Sequence, residues 1–135
     1  MATFHLQIVD LDGLVFDGQA QQVSCRTIHG DLAILARHIN YVTAIAVGKA
    51  AVIFEDGSRR EAACVGGMLS MMDGECRLIS NTWEWVEEID LERARKAKEK
   101  ALARLENPEL KEKTRAAAQL KLKRAELRIS LAEKK

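Results

Sequence analysis

The stretch IDLERA, residues 89–94, marks the point at which this chain changes character. All eight glycines lie before it, between Gly13 and Gly74. After it, Ala, Lys, Glu, Leu and Arg dominate, and these residues are favourable in helices. Asp90 is suited to be a helix N-cap, because its carboxylate can accept hydrogen bonds from the free N–H groups of a first turn. The junction therefore predicts two domains, with strands in residues 1–88 and a pair of helices in residues 89–135.

The first 88 residues have the pattern of short strands separated by turns. Polar residues alternate with Phe4, Leu6 and Ile8, as in a strand that buries one face. Asp56-Gly57 and Asp73-Gly74 are strong hairpin signals. No helical period interrupts the pattern, so we expect an antiparallel β-sandwich of about ten short strands. The predicted core residues are Phe4, Leu6, Ile8, Ile34, Val52 and Leu78.

The last 47 residues have the pattern of an antiparallel helical hairpin. Apolar residues recur at helical spacing in the first helix and predict one buried stripe. Asn107-Pro108 is expected to end this helix and to begin a second one from about Pro108 to Ala132, because proline is favoured at the first helical position. Alanines form part of this stripe, so we expect the two helices to pack shallowly. The predicted stripe is Leu91, Ala94, Ala101, Leu102 and Leu105.

Charge is divided unevenly along the chain. Residues 1–88 carry 6 Lys and Arg against 12 Asp and Glu, whereas residues 89–135 carry 15 against 8, and the whole chain has a net charge of +1. This asymmetry predicts a screened attraction between the two parts. Nucleic-acid binding is not favoured, because acids are interleaved with the basic residues and no aromatic residue follows Trp85 to stack on bases.

Motifs for enzymatic chemistry are absent from the sequence. It contains no GxxxxGK[ST], GxGxxG or HExxH pattern. Asp10 and Asp12 are expected in a turn, Gly66-Gly67 at a bend or bulge, and His29 at the surface. The three cysteines lack metal-ligand spacing and are expected to be structural thiols in a reducing compartment. No secretory signal and no run of roughly 18–20 apolar residues is present, so we expect a non-catalytic protein without a membrane span.

The order of these parts resembles the epsilon subunits of F-type ATP synthases over nearly the whole chain. FHLQIV (4–9) with GLVFDG (13–18) is similar to the family's opening strand pair, and GDLAIL (30–35) followed by His38 is similar to its central signature. IDLERA matches the family's I/L-D-x-x-R-A motif at the start of its hairpin. The chain departs from the signature around the histidine, where proline and glycine are replaced by Ala36 and Arg37 and a later proline by Asn40.

The resemblance implies a non-catalytic rotor subunit of the central stalk. Its β-sandwich would bind the gamma subunit and rest on the c-subunit ring, coupling an ion gradient to ATP synthesis by the alpha and beta subunits. Asp31 and His38 would contact the c ring. The subunit would be peripheral, on the cytoplasmic face of the bacterial cell membrane, and the coupling ion, H⁺ or Na⁺, is set by other subunits.

The resemblance also implies regulation by the helical hairpin, which in bacterial relatives inhibits ATP hydrolysis and in some of them binds ATP. No cofactor is required, and ATP would be a regulatory ligand. Ordinary structural roles remain open beside this one, since Asp90 is also an N-cap and Arg93 could pair with Glu87 or Glu92. The residues of the implied ATP site are Glu84, Ile89, Asp90, Arg93, Ala94, Arg124 and Arg128.

A second class of function is compatible with the same pattern. A stand-alone β-sandwich adaptor with a helical interaction hairpin would also lack catalytic residues. It would have no need of the I/L-D-x-x-R-A motif. Formation of a stable pair with a gamma subunit distinguishes the two hypotheses.

Overall fold

Strands come first and helices follow in the computed structural model, which describes residues 2–134. The chain divides into two compact units, the first ending at Trp85 and the second beginning at Val86. The strands are β1 (Phe4–Asp10), β2 (Gly13–Thr27), β3 (Gly30–Leu35), β4 (Tyr41–Phe54), β5 (Arg59–Met72) and β6 (Glu75–Trp85). A 3₁₀ turn (Val86–Glu88) precedes the helices α1 (Leu91–Leu105) and α2 (Glu112–Ala132).

The six strands form one sheet in the order β1-β6-β5-β4-β2-β3, with an additional pairing between β1 and β2. Because β1 pairs with both β6 and β2, the sheet folds back on itself and encloses a core between its two halves. The pairing of β1 with β6 is parallel and the remaining pairings are antiparallel. The predicted fold class, a β-sandwich followed by a helical hairpin, is confirmed.

The core of the first unit consists of the inward-facing residues of these strands. All six predicted core residues are buried, at 4% exposure for Phe4 and 0% for the others. The aromatic rings of Trp83 and Trp85 also lie in this core, packed edge to face with ring centroids 5.3 Å apart. The alternation of apolar and polar residues therefore located the buried face correctly.

The prediction of about ten short strands was wrong in its count, because the described residues form six longer ones. Two glycines, Gly48 and Gly67, lie inside the long strands β4 and β5. At Gly48 the Arg26 side chain of the neighbouring strand occupies the space that a Cβ would need. At Gly67 the backbone has φ +115° and passes so close to the carbonyl of Ile79 that a Cβ would overlap its oxygen. These glycines permit close approach of adjacent strands rather than ending them.

Burial also lowers the reactivity of the three cysteines. Cys25, Cys64 and Cys76 are free thiols inside the core. Burial raises the pKa of Cys25 and of Cys76 to about 12, and that of Cys64 to about 11. The thiolate is the reactive form of cysteine, so these three side chains are inert in the folded protein.

The first helix begins where the sequence predicts. Asp90 is its N-cap, and the Asp90 carboxylate accepts a hydrogen bond of 3.1 Å from the backbone N–H of Arg93. Ala94 and Ala101 are buried as expected, but Leu102 is 42% exposed, so its place in the stripe was wrong. The buried residues of α1 are therefore alanines, and two of the buried residues of α2, Ala118 and Ala125, are alanines as well.

The second helix begins at Glu112, so the predicted start at Pro108 was wrong. Asn107 makes a local turn instead, in which its side-chain oxygen accepts from the Glu109 N–H at 3.0 Å. The Arg115 guanidinium reaches back from α2 and donates to the carbonyl oxygens of Leu105 (3.2 Å) and Asn107 (2.9 Å). It thereby satisfies the Leu105 carbonyl at the end of α1. At the Asn107 carbonyl it is a second donor beside the backbone N–H of Leu110.

We predict that Gly67→Ala destabilises the β-sandwich far more than Gly74→Ala does. Both glycines have positive φ, but a Cβ at Gly74 would meet no atom within 4 Å. Gly74→Ala should therefore cost about 1–2 kcal/mol of backbone strain. Gly67→Ala adds overlap with the Ile79 carbonyl and should cost about 3 kcal/mol or more of unfolding free energy. Urea unfolding of both variants measures the difference, and equal losses would contradict the close approach of β5 to β6.

Candidate interaction surfaces

A row of apolar side chains crosses the outer face of the sheet in the first unit. Residues that face one another across paired strands point to the same side of a sheet. The row crosses β4, β5, β6, β1 and β2, and each of its members is opposite the next one in the strand pairing. In this order the members are Ala44, Met68, Ile79, Val9 and Leu14. These five residues form the outer apolar row.

The outer apolar row is accessible to solvent. Met68 is 46% exposed, Ile79 48% and Leu14 63%. The residues beside them in sequence, such as Leu69 and Leu78, are fully buried and hold the strands by their inward faces. A continuous exposed apolar strip on a folded domain is typical of a surface that binds another protein.

A second set of exposed apolar residues lies at the loop between β3 and β4. Ile39 is 75% exposed, and Val42 and Met72 are 54% and 46% exposed. The side chain of Asn40 joins this loop to the turn after β5, since its Oδ1 accepts from the Asp73 N–H at 2.9 Å. We call Ile39, Val42 and Met72 the loop-end cluster. Along β5, Ser70 lies between Met72 of this cluster and Met68 of the outer apolar row, whereas Val42 is the next residue to Ala44 on the same face of β4.

Asp31 and His38 lie at different ends of β3. Asp31 is near the first turn and is exposed, with its carboxylate 3.4 Å from the Arg26 guanidinium. The backbone N–H of His38 donates to the Leu35 carbonyl beyond the end of the strand, and its Nδ1 lies 2.7 Å from the carbonyl oxygen of Ile39. Four strand residues, roughly 13 Å, separate Asp31 from Leu35. His38 is therefore next to the loop-end cluster, whereas Asp31 is not.

The helical hairpin of the second unit contains a pocket of about 210 Å³ between α1 and α2. Three alanines form its floor, and every charged residue that lines it is basic. The Nε atom of Arg124 is buried and has no hydrogen-bond partner among the described residues. Such a pocket suits an anion, because an unpaired buried guanidinium donor gains most from a phosphate or carboxylate oxygen. The lining residues are Ala97, Lys100, Ala101, Arg104, Ala118, Lys121, Arg124 and Arg128.

The structure groups only some of the residues predicted for an ATP site. Arg124 and Arg128 line the basic pocket together. The four residues Ile89, Asp90, Arg93 and Ala94 lie at the start of α1, and Asp90 precedes the first pocket residue by seven positions, or roughly 10 Å of helix. Glu84 lies on β6, in the first unit.

Sequence reasoning missed three basic residues of this pocket, Lys100, Arg104 and Lys121. A signal for them was present. Lys100 and Arg104 are four residues apart on α1, and Lys121, Arg124 and Arg128 follow one another at spacings of three and four on α2. Residues at these spacings share one face of a helix. The arrangement was not predicted because most basic residues of the helices were expected to face solvent.

No group of three or more His, Cys, Asp or Glu side chains within residues 2–134 could hold a metal ion. None of the helices in this range is long and apolar enough to span a membrane.

A β-sandwich with exposed apolar strips, followed by a basic helical hairpin, is typical of the class of proteins that bind other proteins. Comparison with known families makes the assignment specific. Residues 3–86 match the family described as ATP synthase, Delta/Epsilon chain, beta-sandwich domain, and residues 87–133 match ATP synthase, Delta/Epsilon chain, long alpha-helix domain. The chain belongs to this family, as an epsilon subunit of an F-type ATP synthase.

Individual relatives agree with this assignment. The ATP synthase epsilon chain of Caldicellulosiruptor bescii is 40% identical over 98% of this chain and 96% of its own length. The sodium ion specific ATP synthase epsilon chain of Acetobacterium woodii is 39% identical over 76% of this chain and 77% of its own. A chain in the cryo-EM structure of Euglena gracilis mitochondrial ATP synthase, OSCP/F1/c-ring in rotational state 1, has a TM-score of 0.80 at 26% identity, covering 93% of this chain and 79% of that one.

Proposed function

We propose that this subunit is a non-catalytic coupling element of the central stalk, joining the gamma subunit to the c-subunit ring while an ion gradient drives ATP synthesis. The outer apolar row is the observation that carries the proposal, because a rotor element must hold a partner firmly without reacting with it.

The subunit would be peripheral, held at the cytoplasmic face of the bacterial cell membrane through the complex. A sodium ion specific relative and relatives without that description are similarly close, so either H⁺ or Na⁺ fits as the coupling ion.

The gamma subunit is the partner we assign to the outer apolar row. The row spans five strands, so a bound partner would contact every strand of the sheet except β3. Each of the three most exposed members buries apolar surface on binding, which stabilises a complex by about 25 cal/mol per Å² removed from water. Contact with several strands at once would also transmit force to the whole sheet, as torque transfer requires.

The c ring is the partner we assign to the loop-end cluster and His38. This cluster lies on a loop that a side-chain hydrogen bond ties to a second turn, so the two segments present one surface. Asp31, at the other end of β3, is exposed and would meet the ring only at the margin of such a contact. The ring contact proposed for Asp31 and His38 is therefore centred on His38.

The helical hairpin is proposed to inhibit ATP hydrolysis through the alpha and beta subunits. Its helices pack through alanines, which bury little area, so the α1–α2 contact is weak enough for the hairpin to change conformation. Its basic residues offer binding energy to acidic surfaces of the catalytic subunits. An element of this kind suits a regulator better than a rigid support.

ATP is the ligand we propose for the hairpin. The phosphates would lie in the basic pocket with Arg124 and Arg128, while Asp90 and Arg93 would hold the rest of the nucleotide near the start of α1. Binding in this position would bridge α1 and α2 and so stabilise one conformation of the hairpin. Ile89 and Ala94, at the start of the hairpin, remain predicted members of this site.

We predict that Ile79→Glu weakens binding to the gamma subunit by about 1–2 kcal/mol, as expected for a central apolar contact that is replaced by a desolvated charge. Ile39→Glu is the matched control, because it introduces the same charge at an exposed apolar residue of the loop-end cluster. It should leave gamma binding unchanged and weaken attachment to the c ring. Surface plasmon resonance with each partner measures both effects, and equal effects of the two variants on gamma would contradict the assignment.

We predict that removal of residues 89–135 raises ATP hydrolysis by the assembled complex, because the inhibitory element is lost. Steady-state ATPase assays of complexes containing the full or shortened subunit measure the change. Binding of the shortened subunit to gamma serves as the control for assembly. An unchanged ATPase rate with gamma binding intact would rule out an inhibitory role.

We predict that Arg93→Ala and Arg124→Ala each weaken ATP binding by about 1.5–3 kcal/mol, the contribution of a hydrogen bond to a charged group, or roughly ten- to hundredfold in Kd. Calorimetry on the full subunit measures it. Arg95→Ala is the control, since Arg95 is an exposed arginine of α1, two residues after Arg93, and does not line the pocket. No heat at millimolar ATP with the unaltered chain, or equal losses in all three variants, would exclude the proposed site.

A further inference from the structure

The imidazole of His5 lies between two carboxylates on the surface of the β-sandwich. Its Nδ1 is 2.6 Å from Oε2 of Glu75, and its Nε2 is 2.5 Å from Oδ1 of Asp17. Both ring nitrogens are therefore used in hydrogen bonds. The His5 side chain is 36% exposed, so water has access to the cluster.

The three residues belong to three different strands at the closure of the sheet. His5 is on β1, Asp17 on β2 and Glu75 on β6. His5 is directly opposite Glu75 in the parallel pairing, while Asp17 is opposite Gln7, the next residue of β1 on the same face. The side chain of His5 thus spans β1 and connects the two strands that flank it.

We propose that His5 is a proton-dependent clamp on β1, which joins β2 to β6 when its imidazole is protonated and releases one of them when it is neutral. An imidazolium has two N–H donors, one for each carboxylate. A neutral imidazole has only one, so its second nitrogen would present a lone pair to a carboxylate oxygen. Loss of the proton therefore breaks one of the two links and leaves two negative charges facing an uncharged ring.

The charged groups around His5 favour its protonated form. Asp17 faces it from β2 and Glu75 from β6, and on β1 itself the neighbouring Gln7 is uncharged and donates to Asp17 at 3.4 Å. Thr3 and Gln19 form a separate neutral pair beside the cluster. Arg77, opposite Gln7 on β6, is the next cation on this face. His5 is therefore the group in this cluster that changes charge near neutral pH.

The pH range in which the clamp is closed follows from the directions in which the pKa values of His5 and Asp17 are shifted. Hydrogen bonds to Asp17 and Glu75 raise the pKa of His5 above its ordinary value of 6.5. The stability that His5 contributes is fully present below pH 6.5 and is lost as the pH rises through the higher pKa of the folded state. The hydrogen bond from His5 also lowers the pKa of Asp17 below its ordinary 3.8, so the contribution of Asp17 is lost only in acid, below pH 3.8. The clamp is therefore closed between pH 3.8 and the raised pKa of His5.

Backbone amide exchange of β1 is the direct test. With rates corrected for the intrinsic effect of pH, we expect β1 amides to lose protection by roughly two- to fivefold between about pH 5.5 and about pH 8.5, the range that exposed ion pairs produce. An NMR titration of the His5 ring in the unaltered chain should give a pKa above 6.5 and requires no variant to fold. A His5 pKa at or below 6.5 would overturn the proposal.

Matched variants separate the clamp from general effects of pH. His5→Gln retains a polar side chain without the titrating proton, so the pH dependence of β1 exchange should disappear. His29→Asn and His38→Asn remove the other two histidines and should leave it unchanged. A pH dependence that survives in His5→Gln, or that is lost in either control, would show that β1 does not respond to His5.

Discussion

The two-sided pairing of β1 is the interaction on which the β-sandwich depends. β1 joins β2 on one side and β6 on the other, bringing together segments more than 50 residues apart in the sequence. Closing such a separation costs chain entropy, which the buried side chains of Phe4, Leu6 and Ile8 offset by packing at the centre of the core. Without β1 no strand pairing would connect β6 to β2, and the sheet would be open.

Closure of the sheet also creates the surfaces that matter for function. Because side chains alternate across a strand, each residue that fills the core places its neighbour on the outside. Ile79 is exposed because Leu78 is buried, and Met68 is exposed because Leu69 is buried. The row then becomes continuous only because β1 brings Val9 next to Ile79. The same strand carries His5, so the closure and its proton-dependent clamp lie on one element.

The helical hairpin is less strongly stabilised by apolar burial than the β-sandwich is. Its buried stripe consists largely of alanine, and the two helices approach closely while burying little apolar area. The five cations that line the pocket repel one another. An anion at this position would relieve that repulsion, which connects the weak packing of the hairpin to the regulatory role proposed for it.

The sequence by itself determined the class of each unit, the six core residues and the cap at Asp90, because alternation, helical spacing and capping are local properties of the chain. It also carried the family motifs that identified the relationship. Only the tertiary structure decided that Gly48 and Gly67 lie within strands, since their role depends on Arg26 and Ile79 in neighbouring strands. In the same way, the pairing of Val9 with Ile79 joins segments that are distant in sequence. No local pattern specifies which of these segments meet, because that choice is made by packing of the whole core.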